Sequence, residues 1–149
     1  MKVIFLDIDG VLNSREYDAR CALTGSDLMR PDPKLVVRLL AAIQPFDAKI
    51  VLTSSWRLDK TIQWPFPVYD VTPRVDGTRA EEIKAWLKGT GECAEMVSCV
   101  DPKCVNVDAF VILDDEPDAG IGFGDRFIQT DPRTGLTAED ADRIVGLFT

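Results

Sequence analysis

The sequence predicts an α/β domain on a mainly parallel sheet, and three observations carry that prediction. Residues 3–6, 50–52 and 109–113 are short, uninterrupted apolar runs, rich in β-branched side chains, of the kind found in strands buried on both faces. Segments with helical apolar spacing separate these runs, which is the alternation of a parallel sheet with crossover helices. Each run ends directly on acidic or hydroxyl residues. A chain of 149 residues favours one domain, residues 1–149, with helices on both faces of the sheet.

The elements follow in order. Val3, Ile4, Phe5 and Leu6 form the first strand. Residues 13–31 are polar and irregular, with Gly25 and Pro31, and read as a long loop or flap. Asp32 then supplies a helix cap and Pro33 the first helical position. Leu35, Val36, Leu39, Leu40 and Ile43 form the apolar stripe of that helix, and Pro45 ends it. Ile50, Val51 and Leu52 make a second strand, and residues 68–71, between prolines, a short third. Thr78 and Glu81 have the spacing of a capping box, followed by Ile83, Trp86 and Leu87 on one helix face. Residues 88–108 leave room only for a loop or small hairpin. After the strand at 109–113, residues 126–129 read as a fifth strand. Thr137 and Asp140 cap a last helix packed by Ile144, Val145, Leu147 and Phe148.

Composition narrows the chemistry. The chain has no histidine, so acid/base work near neutral pH falls to carboxylates, Lys, Cys or Tyr, and histidine-dependent triads and histidine-rich zinc sites are excluded. A formal net charge of −8 does not suit a surface that holds a phosphate backbone by bulk electrostatics. Cys21, Cys93, Cys99 and Cys104 lack zinc or redox spacing and read as reduced structural thiols. No signal-peptide pattern and no membrane-length apolar run is present, so the expected location is the cytoplasm.

The strand ends carry the functional signal. The first strand ends on Asp7, with Asp9 two residues on; the second ends on Thr53 and Ser54; the strand at 109–113 ends on Asp114 and Asp115. Ligands of open α/β sheets bind outside the carboxyl ends of the strands. The sequence therefore gathers four carboxylates and two hydroxyls at one sheet edge. Carboxylates this close repel one another unless a cation or shared protons intervene. A hard divalent ion with oxygen ligands solves the problem, and magnesium is the usual ion beside phosphate.

Residues 5–12, Phe-Leu-Asp-Ile-Asp-Gly-Val-Leu, resemble the first motif of the haloacid dehalogenase (HAD) superfamily, Asp-x-Asp-x-Thr/Val after a hydrophobic strand. Residues 51–57, Val-Leu-Thr-Ser-Ser-Trp-Arg, resemble its second motif, and Val111 to Asp115 its acidic fourth motif. Arg79 is the candidate for the basic third motif, with Lys84 as the alternative. The Leu-Thr-Ser-Ser-Trp-Arg string, the Arg-Ala-Glu-Glu-Ile-Lys-Ala-Trp-Leu helix and Gly135-Leu136-Thr137 resemble, more narrowly, the small HAD domains of Swiss-army-knife RNA-repair-like proteins.

The resemblance implies a magnesium-dependent phosphohydrolase with an aspartyl-phosphate intermediate. Asp7 is the implied nucleophile and Asp9 the general acid and base. Thr53 and Arg79 stabilise the phosphoryl group. Magnesium is held by Asp7, the Asp9 backbone carbonyl, and Asp114, Asp115 or both. Ser54, Gly10 and Arg57 complete the expected substrate contacts. Asp118 reads equally as an outer group of the site and as a solvated residue. Trp56 reads as core packing before a stacking platform, and residues 64–67 as a packed aromatic-proline loop.

The segments from Gly10 to Pro31 and from Lys88 to Asp108 are too short for a folded cap, so the site is expected to be open. An open site suits a large phosphorylated substrate, and Arg15, Tyr17 and Arg20 on the expected flap are the residues that would meet a nucleotide or nucleic-acid end. Beside the phosphomonoesterase stand a nucleic-acid end-processing phosphatase, a phosphotransferase, and a catalytically silent phosphate- or protein-binding module. No membrane partner is expected.

Overall fold

The computed structural model describes residues 1–25, 31–89 and 107–149. Five strands form one sheet: β1 (Lys2–Leu6), β2 (Lys49–Leu52), β3 (Asp70–Val71), β4 (Ala109–Asp114) and β5 (Phe127–Gln129), in the order β3-β2-β1-β4-β5. All four pairings are parallel. From β1 the chain winds outward through β2 to β3, then returns to lay β4 on the other side of β1. The reversal sits between β1 and β4, the place where open parallel sheets leave a crevice at their carboxyl ends.

The alternation of side chains along each strand builds two cores. Ile4 and Leu6 of β1, Ile50 and Leu52 of β2, and Val111 and Leu113 of β4 face one side. There they meet Leu35, Val36, Leu39 and Ile43 of α2 (Pro33–Ile43) and Ile144 and Phe148 of α4 (Ala138–Phe148). Val3, Phe5, Val51 and Ile112 face the other side and meet Ile83 and Trp86 of α3 (Arg79–Leu87). Phe5 and Trp86 pack edge to face with ring centroids 5.3 Å apart. Burying one such side chain is worth roughly 1.5–3 kcal/mol. Helices thus cover both faces, as the sequence predicts.

The caps are where the residues place them. The Asp32 carboxylate accepts from the Lys34 amide, with Pro33 at the start of α2. Thr137 and Asp140 close a reciprocal capping box on α4. Thr78 accepts from the Glu81 amide at α3.

The expected flap is corrected. Residues 15–24 form a helix, α1 (Arg15–Thr24), capped by Ser14 through the Tyr17 amide and closed by Gly25 in the left-handed region. Only Cys21 of this helix is buried, and Leu23 is 88% exposed, so no apolar stripe announces it. The third strand is shorter than residues 68–71 and keeps only Asp70 and Val71. Arg126 precedes β5, in a 3-10 turn. Residues 64–67 are a packed loop: Phe66 is buried and stacks on Trp64. Cys21 is a free thiol, while Cys93, Cys99, Cys104 and most of the segment 88–108 lie outside the described residues. No helix among the described residues is long and apolar enough to cross a membrane.

Candidate active site

Hydrogen bonds that continue the sheet ladder one step past the strands fix the first residues of the site. The Asp7 amide donates to the Leu113 carbonyl at 3.0 Å, and the Thr53 amide to that of Leu6 at 2.9 Å. Asp7 and Thr53 therefore stand side by side at the carboxyl edge, one just past β1 and the other just past β2. Asp114 ends β4, and its Oδ1 accepts from the Glu116 amide at 3.0 Å. Beyond Asp7 the chain turns tightly, with the Ile8 carbonyl accepting from the amides of Val11, Leu12 and Asn13.

Carboxylate oxygens of Asp7, Asp114 and Asp115 lie within 4.8 Å of one another. Asp7 and Asp114 are buried, and Asp115 is half-buried. Burial pushes the Asp7 carboxyl up to about 6, against the lowering pull of the Arg79 guanidinium and the Ile8 amide. Burial, joined by the negative charge of Asp7, pushes Asp114 up to about 8. Two buried carboxyls that resist ionising together, with a third beside them, form a donor set of hard oxygens suited to a divalent cation such as magnesium. The Asp9 side chain stands outside that group of three.

Gly10 is what lets Asp115 approach. It has φ of +80°, and a Cβ built on it would lie 2.5 Å from the Asp115 carboxyl carbon. Its carbonyl accepts from the Thr130 hydroxyl at 2.7 Å, so the turn after Asp9 is tied to the end of β5. Gly10 thus sets the spacing between the turn after Asp9 and the Asp115 carboxylate.

Arg79 is the first residue of α3, and its side chain reaches over the acidic group. Nη1 lies 3.4 Å from Asp7 Oδ1, 3.4 Å from Thr53 Oγ1 and 3.6 Å from Asp114 Oδ2. Its Nε is 3.6 Å from Glu82 Oε2, and its amide donates to Asp118 Oδ2 at 3.2 Å. Asp118 thus anchors the start of the helix that carries Arg79. Lys84, the alternative basic residue, pairs instead with Glu81 and lies over the Phe123 ring.

Arg57 is a correction. Expected at the substrate, it is buried, with Nε on the Thr72 carbonyl, Nη1 on those of Thr53 and Ser54, and Nη2 on Glu82 at 2.9 Å. It braces the loop after β2 from within. The Ser54 hydroxyl oxygen accepts from the Trp56 amide and caps the 3-10 turn at residues 55–58. Thr53 is fully buried, with its hydroxyl toward Arg79.

Asp9 is exposed, and both of its carboxylate oxygens are held. Trp56 Nε1 donates to Oδ2 at 2.7 Å and Asn13 Nδ2 to Oδ1 at 3.2 Å. A cleft of about 220 Å³ opens beside it, lined by Asp9, Asn13, Ser14, Arg15, Asp18 and Pro132 among others. Tyr17 and Arg20 line a separate hollow on α1. A larger apolar cavity of about 790 Å³ near Leu40, Ile43, Pro67 and Tyr69 includes none of the clustered aspartates.

Sequence reasoning missed Asn13 and Glu82. Glu82 was legible only as an acid in the first turn of α3. Asn13 had no signal beyond its place after the first motif, because the turn that brings it back to Asp9 is set by backbone bonds to Ile8.

A family model described as the HAD domain in Swiss Army Knife RNA repair proteins matches residues 3–141. The chain belongs to this HAD family. Comparison with curated proteins and with solved structures gave no match. As a HAD domain the chain falls, in general chemistry, with the HAD hydrolases and phosphatases, and its acidic group is of a kind able to bind a metal.

Proposed function

We propose that this HAD domain is a magnesium-dependent phosphomonoesterase that works through an aspartyl-phosphate on Asp7. One observation carries the reading: Asp7 shares the Arg79 guanidinium with Thr53 and Asp114, and its carboxylate lies within 4.8 Å of those of Asp114 and Asp115. A nucleophile, an anion-stabilising donor and a cation-binding group of oxygens thus meet at one point.

Asp7, Asp114 and Asp115, with the Asp9 backbone carbonyl, are the residues that would hold magnesium. When bound, it would supply charge neutralisation for the phosphoryl group. An Asp7 oxygen attacks phosphorus, and the bond from phosphorus to the ester oxygen breaks. Asp9 gives its proton to that departing oxygen, and then takes a proton from the water that cleaves the acyl phosphate and restores Asp7. Arg79 stands at 3.4–3.6 Å from its acceptors, longer than the ~2.7–2.9 Å of tight charge-assisted bonds. It is thereby free to turn toward phosphoryl oxygens, with the Thr53 hydroxyl beside it. Gly10, Ser54 and the amides that follow Asp7 and Thr53 are proposed to line the phosphate.

A second reading is end processing of RNA, favoured by the family's description and by Arg15 in the cleft beside Asp9. The net charge of −8 opposes it. Phosphoryl transfer to an acceptor other than water would use the same residues. A silent binding module would have no need of both Asp7 and Asp9. The test is release of p-nitrophenol from p-nitrophenyl phosphate, with and without magnesium, beside Asp7→Asn. Magnesium-dependent release that disappears in the variant supports the reading. Absence of turnover on that ester and on a panel of nucleotides and phosphorylated oligonucleotides contradicts it.

A further inference from the structure

The acid/base carboxylate stands on the rim of the sheet, exposed, in a position where a side chain without partners would sample several rotamers. It is nevertheless gripped at both oxygens. The Trp56 indole N–H reaches Oδ2 at 2.7 Å and the Asn13 amide reaches Oδ1 at 3.2 Å. The two donors come from different parts of the chain. Trp56 belongs to the 3-10 turn after β2, and its ring packs against the core under α2 and α4. Asn13 is itself buried, and its Oδ1 is without a hydrogen-bond partner among the described residues. A buried acceptor left unpaired is costly, so this amide is not placed to satisfy itself. The side-chain nitrogen donates to Asp9.

We infer that Trp56 and Asn13 are positioning residues that hold the Asp9 carboxyl toward the ester oxygen of the departing alcohol. The inference rests on the phosphatase reading above. Both act through Asp9, the side chain to which each donates. Holding a proton donor in line matters most where the leaving oxygen is too basic to depart without a proton. It matters little for p-nitrophenolate, which departs readily as an anion. A misplacement of about 1 Å costs a reaction on the order of a hundredfold. The loss on removing the grip therefore depends on the leaving group, which damage to the fold alone would not produce.

The experiment compares the full chain with Trp56→Phe, which keeps an apolar ring and removes the donor, and with Asn13→Ala. Each is assayed with magnesium on aryl phosphates of increasing leaving-group pKa and on an alkyl phosphate, with a thermal melt of every protein. The expected result is a loss of kcat/KM, which reports the steps through departure of the alcohol, of a few-fold on p-nitrophenyl phosphate, rising to roughly 10–100-fold on the alkyl ester. An equal loss across the series, or no loss, overturns the inference. If Trp56→Phe does not fold, the Asn13→Ala series decides by the same criterion. Wild-type protein inactive on every ester overturns the phosphatase reading itself, an outcome distinct from an active wild type with a flat series.

Discussion

Gly10 and Asp115 are in contact so close that any side chain at position 10 would displace the Asp115 carboxylate. A Cβ there would meet the Asp115 carboxyl carbon and Oδ2 at 2.5 Å, and the backbone is at φ +80°. Gly10→Ala is expected to combine left-handed strain of roughly 1–2 kcal/mol with displacement of Asp115. Calorimetric titration with magnesium should show affinity reduced by at least about tenfold, alongside a lower melting temperature. Unchanged affinity would detach Asp115 from the cation site.

Arg79 and Lys84 are five residues apart on α3 and stand in different environments, one over the aspartates and the other on the surface with Glu81. Arg79→Ala is expected to lower kcat by roughly 10²–10³, the usual loss on removing a donor aimed at developing charge. Lys84→Ala is expected to stay within about twofold of wild type, since an exposed pair is worth little. Steady-state kinetics on both variants checks this; equal losses would contradict the assignment.

For Arg57 the expectation concerns stability. Its guanidinium is bonded to the Thr72, Thr53 and Ser54 carbonyls and to Glu82, and its side chain is 4% exposed. Arg57→Ala takes the guanidinium from the Thr72 and Thr53 carbonyls and leaves Glu82 with only its longer contact to Arg79, at a cost of roughly 3–5 kcal/mol. Chemical denaturation would measure the loss. A variant of normal stability with a raised KM would instead return Arg57 to the substrate.

The raised carboxyls set a pH dependence for metal-free protein. Asp7 rises from 3.8 to about 6 and Asp114 from 3.8 to about 8, both chiefly by burial. Between the unfolded and folded values the folded state holds protons that the unfolded state has lost. The stabilisation is therefore complete below pH 3.8 and disappears as pH rises through about 6 and then about 8. Each such proton contributes a slope of roughly 1.4 kcal/mol per pH unit. Melting temperature in chelator should decline from about pH 5 to about pH 8, and added magnesium should restore more of it at the upper end, where it displaces fewer protons. A flat or increasing profile in chelator would contradict the assignment of these two groups.

Much of the fold was legible because apolar patterning and caps agreed. Ile4, Ile50 and Val111 belong to runs that only a doubly covered sheet explains, and Asp32, Thr78 and Thr137 mark helix starts. The site followed, because a parallel sheet puts Asp7, Thr53 and Asp114 at one edge whatever the loops do. What patterning did not reveal depended on contacts across the fold. Helix α1 buries Cys21 alone, so hydrophobic period gave no sign of it. Arg57 follows the second motif as a substrate residue would, yet its direction is decided by the carbonyls of a loop that closes only after folding. Trp56 was read as packing, and its ring does pack; the hydrogen bond from its nitrogen to Asp9 depends on a turn after β1 that residue types alone do not specify.

Asp7 is the residue proposed to carry the phosphoryl group, and trapping the group there tests this. Asp9→Asn should slow hydrolysis of the acyl phosphate while p-nitrophenolate still departs. Intact mass after mixing this variant with p-nitrophenyl phosphate and magnesium should show one added phosphoryl group, located by fragmentation on Asp7 and absent when Asp7→Asn is added. A phosphoryl group on another residue, or turnover by Asp7→Asn at the wild-type rate, would contradict the account.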